Sequence, residues 1–183
     1  LVFACLLTMG AGASNDDKYA ALYEGLPFQM DRVVAPQFPA YEVNLKDFGA
    51  VGDGSSLCTE AFAKAFAALE AKGGGKLVVP QGVWYTGPIQ LKSNVNLHLE
   101  KGAIILFSPD PDLYTITRTS FEGLETRRCQ SPISGVNLTN VAITGHGVID
   151  GNGEYWRPLN ASRQLPLPPG SSASPFFPGI LSG

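Results

Sequence analysis

The sequence carries little net charge and lacks an apolar run long enough to cross a bilayer. Its 13 basic residues nearly balance its 16 acidic ones, which leaves a formal net charge of −3. This balance excludes recognition of nucleic acid or of a membrane surface through bulk charge. The apolar run at residues 1–9 is too short for a transmembrane helix. Neither nucleic acid nor a membrane is therefore an expected partner.

Cysteine is scarce, with three in the chain at Cys5, Cys58 and Cys129. Their spacing matches no metal site, and we expect no metal or other cofactor. Cys58 and Cys129 are compatible with one disulfide in an oxidising compartment. The favoured alternative is that both are unpaired small residues of the core.

The N-terminal residues resemble the end of an export signal. The apolar residues 1–9 are followed by Ala11-Gly12-Ala13, a small-residue cleavage pattern. We therefore interpret residues 1–13 as a residual signal peptide and expect a secreted or periplasmic protein. A lipoprotein anchor at Cys5 is less favoured, because apolar residues continue after it. Residues 14–45 are predicted to form an extended lead-in.

One helix is predicted over residues 59–72. Phe62, Ala65, Phe66 and Leu69 recur at helical spacing and form one apolar face. Thr59 is the expected N-cap, and the glycines 73–75 are expected to end the helix.

After the helix the pattern changes to short β-rich runs separated by Gly, Pro, Asn and Asp. The predicted strands are Lys76–Pro80, Val83–Thr86, Pro88–Leu91, Val95–Glu100, Ala103–Phe107, Val136–Thr139 and Val141–Thr144. A sandwich, a barrel or a solenoid would each fit such strands. A single helix before them favours a solenoid, because the first coil needs a lid over its apolar end. Residues 46–158 are thus predicted to form its coils, and residues 159–183 a disordered tail rich in Pro, Ser and Gly.

Three segments resemble the polygalacturonases, glycoside hydrolase family twenty-eight. They are Gly73–Ser93, Thr119–Ile133 and Ile143–Trp156. In addition, the Asp47–Gly54 motif DFGAVGDG is similar to the opening signature of pectate-lyase-superfamily proteins. The resemblance implies an all-β fold: a right-handed, single-stranded parallel β-helix with an N-terminal capping α-helix, here incomplete. It also implies hydrolysis of α-1,4-galacturonosyl links in pectin with inversion at the anomeric carbon.

The catalytic aspartates that the resemblance implies are missing from this sequence. The family carries them in N-T-D and D-D motifs, followed by G-H-G and R-I-K. N-T-D and R-I-K are absent, and D-D occurs only at Asp16-Asp17. We therefore expect no catalytic residue in this N-terminal fragment, and we expect the fragment itself to be inactive. A pectate-lyase-type lyase and a non-catalytic polysaccharide-binding β-helix remain alternatives, and a monomer is expected at full length.

Arg127 and Arg128 are the predicted substrate-binding residues. Pectic sugars carry carboxylates, and the arginine fork binds a carboxylate through two parallel hydrogen bonds. Pairing with Glu122 or Glu125 is the favoured alternative. The other tempting residues are expected to be structural: His146 and its glycines as a turn between two coils, Asp150 as an Asx-type turn, and Trp84 and Trp156 as packing residues.

Overall fold

The computed structural model describes residues 17–32 and 35–156. The chain divides into two units, with the boundary between Gln37 and Phe38. In the first unit, Asp17–Tyr23 form a 3-10 helix, and the Arg32 guanidinium lies 5.4 Å from the centre of the Tyr23 ring. The predicted signal peptide at 1–13 and the predicted tail at 159–183 lie outside the described residues.

Helix α1 spans Thr59–Ala71 and buries the apolar face predicted for it. Phe62, Ala65, Phe66 and Leu69 are each at most 2% exposed. The prediction of Thr59 as N-cap is wrong, because Cys58 takes that position. The Thr59 hydroxyl instead accepts a hydrogen bond from the Gly87 N–H at 2.7 Å. The helix ends at Ala71, one residue earlier than predicted, and Gly73 shortly after it has a φ of 80°.

Among the described residues of the second unit, eleven strands follow one another, and most of them pair in parallel. They are β1 Glu42–Asn44, β2 Gly75–Val79, β3 Gly82–Thr86, β4 Ile89–Gln90, β5 Val95–Leu99, β6 Ala103–Phe107, β7 Ile116–Phe121, β8 Leu124–Cys129, β9 Ile133–Ser134, β10 Ala142–Gly145 and β11 Val148–Asp150. Three parallel sheets run in the orders β1-β2-β5-β10, β3-β6-β11 and β4-β9. From β2 onward, each coil contributes one strand to each of the first two sheets. This arrangement is a parallel β-helix, as predicted.

The core lies inside the coils, where apolar side chains stack from one coil to the next. Leu77 of β2 lies opposite Leu97 of β5, and both are fully buried. Trp84 of β3 lies opposite Ile105 of β6, and they are fully buried as well. Helix α1 contacts β1, β2 and the 3-10 helix Leu45–Phe48, so it covers the first coil as predicted.

The inward side chains of the last described coil are not covered in the same way. Ile143 lies opposite the buried Leu97, and Ile149 lies opposite the buried Ile105. Nevertheless Ile143 is 45% exposed and Ile149 is 40% exposed. Both side chains therefore occupy core positions while facing solvent on the side away from the preceding coil.

The strand pattern differs from the sequence-based expectation in several places, and β1, β9 and β11 are among the strands that were not predicted. No strand forms at Val136–Thr139; Asn137 has a φ of 53°, and Val136 is 76% exposed. The antiparallel pair β7–β8 was not predicted, because its residues carry no alternation of apolar and polar side chains. A residue in the left-handed conformation, such as Asn137, breaks the extended backbone that the predicted strand Val136–Thr139 would require.

The glycine-rich turn before α1 is held by Asp53. Its carboxylate accepts hydrogen bonds from the Ser56 and Ser55 N–H groups at 2.7 and 2.8 Å, and from the Ser56 hydroxyl. These bonds, the Ser56 N–H foremost, hold the pKa of Asp53 well below its usual range. The ionised carboxylate therefore stabilises the folded state at neutral pH.

The Asp53→Asn variant should be less stable than the parent at pH 7, and this deficit should shrink in acid. Because the folded state lowers the pKa, the contribution is present above the unfolded value of about 4 and fades as the pH falls below it. Melting temperatures measured between pH 7 and pH 2 check this. Asp47→Asn controls for the loss of one exposed charge, and a deficit unchanged by pH would contradict the expectation.

Candidate functional site

A cleft of about 410 Å³ lies where the chain leaves the sheet β3-β6-β11 at its carboxyl edge. Its walls come from the β7–β8 hairpin and from the segments that follow β6 and β11. The residues that line it include Tyr114, Thr117, Arg128, Gln130, Gly151 and Trp156. The cleft is therefore built from two successive coils and one excursion between strands.

The excursion arises between β6 and β9. In the coil before it, the chain passes directly from Thr86 to Ile89. Their partners in the next coil are Phe107 and Ile133. The 3-10 helix Pro111–Leu113 and the hairpin lie between these two partners. Both ends of the excursion stay in register with the coil below. The hairpin is thus added to the β-helix without disturbing its core.

The hairpin places the two predicted arginines on opposite faces. Arg128 lies opposite Thr117, and Arg127 lies opposite Arg118. Successive side chains of a strand point to opposite faces, so neighbours in sequence are separated. Arg128 and Thr117 line the cleft, and Arg127 lies on the face turned away from it. The structure therefore brings only one of the two arginines into the site.

Of the two carboxylates considered as partners of these arginines, Glu125 forms an ion pair with Arg118, and both side chains are largely exposed. Glu122 lies at the hairpin turn with a φ of 52°. An exposed pair of this kind contributes little to stability.

Trp156 is held against the cleft wall by Tyr114. The two rings meet edge to face at 5.2 Å, with an angle of 85° between their planes. The Tyr114 hydroxyl donates to the Ser108 carbonyl at 2.7 Å, and burial raises the pKa of Tyr114 to about 12. Tyr114 is therefore neutral at physiological pH and acts as a fixed support for the indole.

The two thiols among the described residues give no sign of a nucleophile or of a disulfide. Cys58 and Cys129 are both free, which agrees with the favoured of the two sequence-based alternatives. Cys129 borders the cleft, but burial raises its pKa, so the thiol stays protonated at neutral pH. The thiolate is the reactive form of cysteine.

The remaining residues singled out from the sequence have structural places. His146 is exposed, and its N–H donates to the Leu99 carbonyl at 2.9 Å. Its turn joins β10 to β11 within one coil, not two coils as predicted. Asp150 accepts the Asn152 N–H at 2.8 Å, which confirms the Asx-type turn.

Trp84 is fully buried, and its indole N–H donates to the Pro80 carbonyl at 2.7 Å. It is therefore not available to a ligand. Trp156, in contrast, borders the cleft and is partly exposed.

Few charged side chains line the cleft. Among the described residues, those that line it include one cationic side chain, Arg128, and no carboxylate. Glycoside hydrolysis usually needs two carboxyl groups placed on either side of the bond. Within residues 17–32 and 35–156 there is also no group of three His, Cys, Asp or Glu side chains suited to a metal ion. A search of the same residues finds no helix of the length and apolarity that a membrane span requires.

Comparison with known proteins supports the fold and the family resemblance. No family model matches the chain. Over 126 residues, 64% of the chain, it is 40% identical to a probable polygalacturonase of Vitis vinifera, and the match covers 26% of that relative. Over 135 residues, 67% of the chain, it is 35% identical to an exo-poly-alpha-D-galacturonosidase of Dickeya chrysanthemi, of which the match covers 21%.

Among solved structures, the hyperthermoactive exopolygalacturonase from Thermotoga maritima superposes with a TM-score of 0.66 and 44% identity. That match covers 76% of this chain and 32% of the enzyme. The stacked coils and these similarities define a right-handed parallel β-helix of the kind found in glycoside hydrolases. Within that class the chain is polygalacturonase-like, which confirms the resemblance found in its sequence. The chain spans about a quarter of the length of the curated relatives it matches.

Proposed function

We propose that these coils are part of a glycoside hydrolase that cleaves α-1,4-galacturonosyl links in pectin. The observation that carries the proposal is the identity of 35–44% to two named galacturonan hydrolases and one exopolygalacturonase structure, over most of the described coils. Such similarity along stacked coils favours a shared reaction more than a shared scaffold alone. The proposed reaction inverts the anomeric carbon.

The chemistry requires groups that this sequence does not supply. In an inverting hydrolase one carboxylic acid protonates the leaving oxygen, and a second carboxylate removes a proton from the attacking water on the opposite face. The sequence lacks the N-T-D and R-I-K motifs, and its single D-D pair lies at Asp16-Asp17. In this proposal the coils described here support a substrate that is cleaved by residues outside these 183.

The 183-residue chain should therefore release no reducing ends from polygalacturonate. The gene sequence beyond codon 183 should encode N-T-D, D-D and R-I-K, and the protein that includes them should release reducing ends. Measurable hydrolysis by the 183-residue chain would contradict the expected inactivity. A 4,5-unsaturated product, detected by its ultraviolet absorbance, would indicate a lyase, and binding without turnover by the longer protein would indicate a non-catalytic β-helix.

Export from the cell also belongs to this proposal. It is supported by the apolar residues 1–9 followed by the Ala-x-Ala pattern. We propose a secreted or periplasmic protein that is monomeric at full length. N-terminal sequencing of the exported protein would locate the cleavage site, which is expected after Ala13.

A further inference from the structure

We infer that Asn137 is an acceptor site for an N-linked glycan. The residue begins the sequence Asn137-Leu138-Thr139, which matches the Asn-x-Ser/Thr pattern of glycosylation acceptors in secreted proteins. The inference rests on the proposed export, which would bring the chain into the compartment where such glycans are added. It assigns a modification to residues that take no part in the proposed reaction on pectin.

The fold presents the motif at the surface. Asn137 lies in the loop that joins β9 to β10, with an exposed side chain and a φ of 53° in the left-handed region that asparagine tolerates. Thr139 is exposed as well, whereas Leu138 between them is half-buried. A glycan is bulky and hydrated, so its acceptor must stay at the surface after folding. Both residues that define the motif meet this requirement.

The backbone of the loop is fixed to the preceding coil. The Thr139 N–H donates to the Ser93 hydroxyl at 3.1 Å, and the Thr139 carbonyl accepts the Asn94 N–H at 3.0 Å. These two bonds use the backbone of Thr139 and leave its side chain at the surface. A substitution of the Thr139 side chain therefore removes the motif without removing these bonds.

A second asparagine in the same loop has a structural role that Asn137 does not share. Asn140 also has a positive φ, of 56°, but it is half-buried, and its side-chain amide donates to the Asn94 side chain at 3.1 Å. Among the described residues, none forms a hydrogen bond with the side chain of Asn137. The amide nitrogen of Asn137 is therefore available for modification, and that of Asn140 is not.

A cleft of about 370 Å³ beside Asn137 offers room for the first sugar of a glycan. Its lining includes Val136, Gln90 and Ser93. Val136 is 76% exposed, so a sugar ring over it would cover apolar surface. Gln90 and Ser93 supply polar groups of the kind that orient a bound ring.

The modification replaces one hydrogen of the Asn137 side-chain amide with a sugar. The donor in this proposal is an oligosaccharide carried on a lipid pyrophosphate, and a transferase of the secretory pathway catalyses the step. The amide nitrogen Nδ2 attacks C1 of the first sugar, and the N–C1 bond forms while the bond from C1 to the pyrophosphate oxygen breaks. The amide loses one proton, and the lipid pyrophosphate leaves. The step involves no oxidation or reduction.

Secretion of the chain from a eukaryotic host, with a leader of that host in place of residues 1–13, tests the inference. The sequence Asn160-Ala161-Ser162 also matches the pattern and no other asparagine does, so Asn160→Gln serves as the parent. Most secreted molecules should exceed the mass of the polypeptide by one glycan. Peptide N-glycosidase should remove it and convert its asparagine to an aspartate, which fragmentation mass spectrometry should place at position 137.

Two substitutions remove the motif and a third preserves it. In the Asn160→Gln parent, Asn137→Gln and Thr139→Ala should each eliminate the glycan, whereas Thr139→Ser keeps the pattern and should retain it. Circular dichroism and thermal unfolding show whether each secreted variant is folded. A folded, secreted parent without a glycan, or a glycan that persists in Asn137→Gln or Thr139→Ala, would overturn the inference.

The outcome is separable from that of the proposed function. The host leader makes the test independent of residues 1–13, and the mass measurement is independent of hydrolysis. A glycan at Asn137, in a protein that neither follows its own N-terminal residues out of the cell nor hydrolyses polygalacturonate, would retain the acceptor site and reject the proposed function. Absence of the glycan, with reducing-end release by the longer protein, would reject the acceptor site alone.

Discussion

Replacing Trp84 with alanine should lower the free energy of unfolding by roughly 3–5 kcal/mol, the range observed for large aromatic side chains in cores. Trp84 is fully buried between the turn at Gly52 and the stacked Ile105. Its removal leaves a cavity that the neighbouring coils cannot close, because their backbones are tied by parallel hydrogen bonds. Urea unfolding followed by circular dichroism measures the loss.

Trp84→Phe separates packing from hydrogen bonding at the same position. Phenylalanine fills most of the space. It cannot donate to the Pro80 carbonyl, which accepts the indole N–H of Trp84 at 2.7 Å in the parent. A buried acceptor that loses its partner costs about 1–3 kcal/mol. If Trp84→Ala were no more damaging than Trp84→Phe, the indole would not fill the core as described.

Gly75→Ala should be at least as damaging, with an expected loss of about 3 kcal/mol or more. Gly75 begins β2 with a φ of 141°, and a Cβ there would lie 2.1 Å from the Tyr41 carbonyl oxygen. That oxygen accepts the Lys76 N–H at 2.8 Å, so relief of the clash would break the pairing of β1 with β2. The same urea titration, with the unfolding midpoint and slope compared, checks the expectation.

Gly73→Ala is the matched control two residues earlier. Gly73 also has a positive φ, of 80°, but a Cβ there would meet nothing within 4 Å. It should lose only the cost of placing alanine in the left-handed region, about 1–2 kcal/mol. Similar losses for the two variants would show that backbone strain, and not the collision with Tyr41, dominates at Gly75.

The sequence predicted the capped β-helix well where burial imposes a period. The apolar face of α1 is buried as expected, and Val95–Leu99 alternates between inward and outward residues as its side chains alternate in the sequence. Ala103–Phe107 was predicted with its observed bounds. These elements bury one face in the same core, and this burial requires apolar residues at regular spacing along the chain.

The hairpin and its cleft could not be predicted in this way. Both faces of β7–β8 meet solvent or the cleft, so threonine, arginine and glutamate follow one another without an apolar face. What the sequence did indicate for this region came from the chemistry of the Arg128 guanidinium, and not from the spacing of apolar residues. Which of two adjacent arginines faces the cleft depends on the register of the pair, and the sequence alone does not set it.

The error at Val136–Thr139 has a different cause. Two apolar residues two positions apart suggested a strand, but the asparagines at 137 and 140 adopt positive φ values. Asn140 donates to the Asn94 side chain at 3.1 Å, one coil below. Asparagine tolerates the left-handed conformation better than most residues, so it serves as a corner between coils.

The register retained on both sides of the hairpin has a consequence for how such a molecule can change over evolutionary time. Since Phe107 and Ile133 still pair with Thr86 and Ile89, the span between them is free to grow, shrink or be exchanged while the ladder of strands stays intact. Sequence changes confined to this one span can therefore alter ligand preference with little effect on folding.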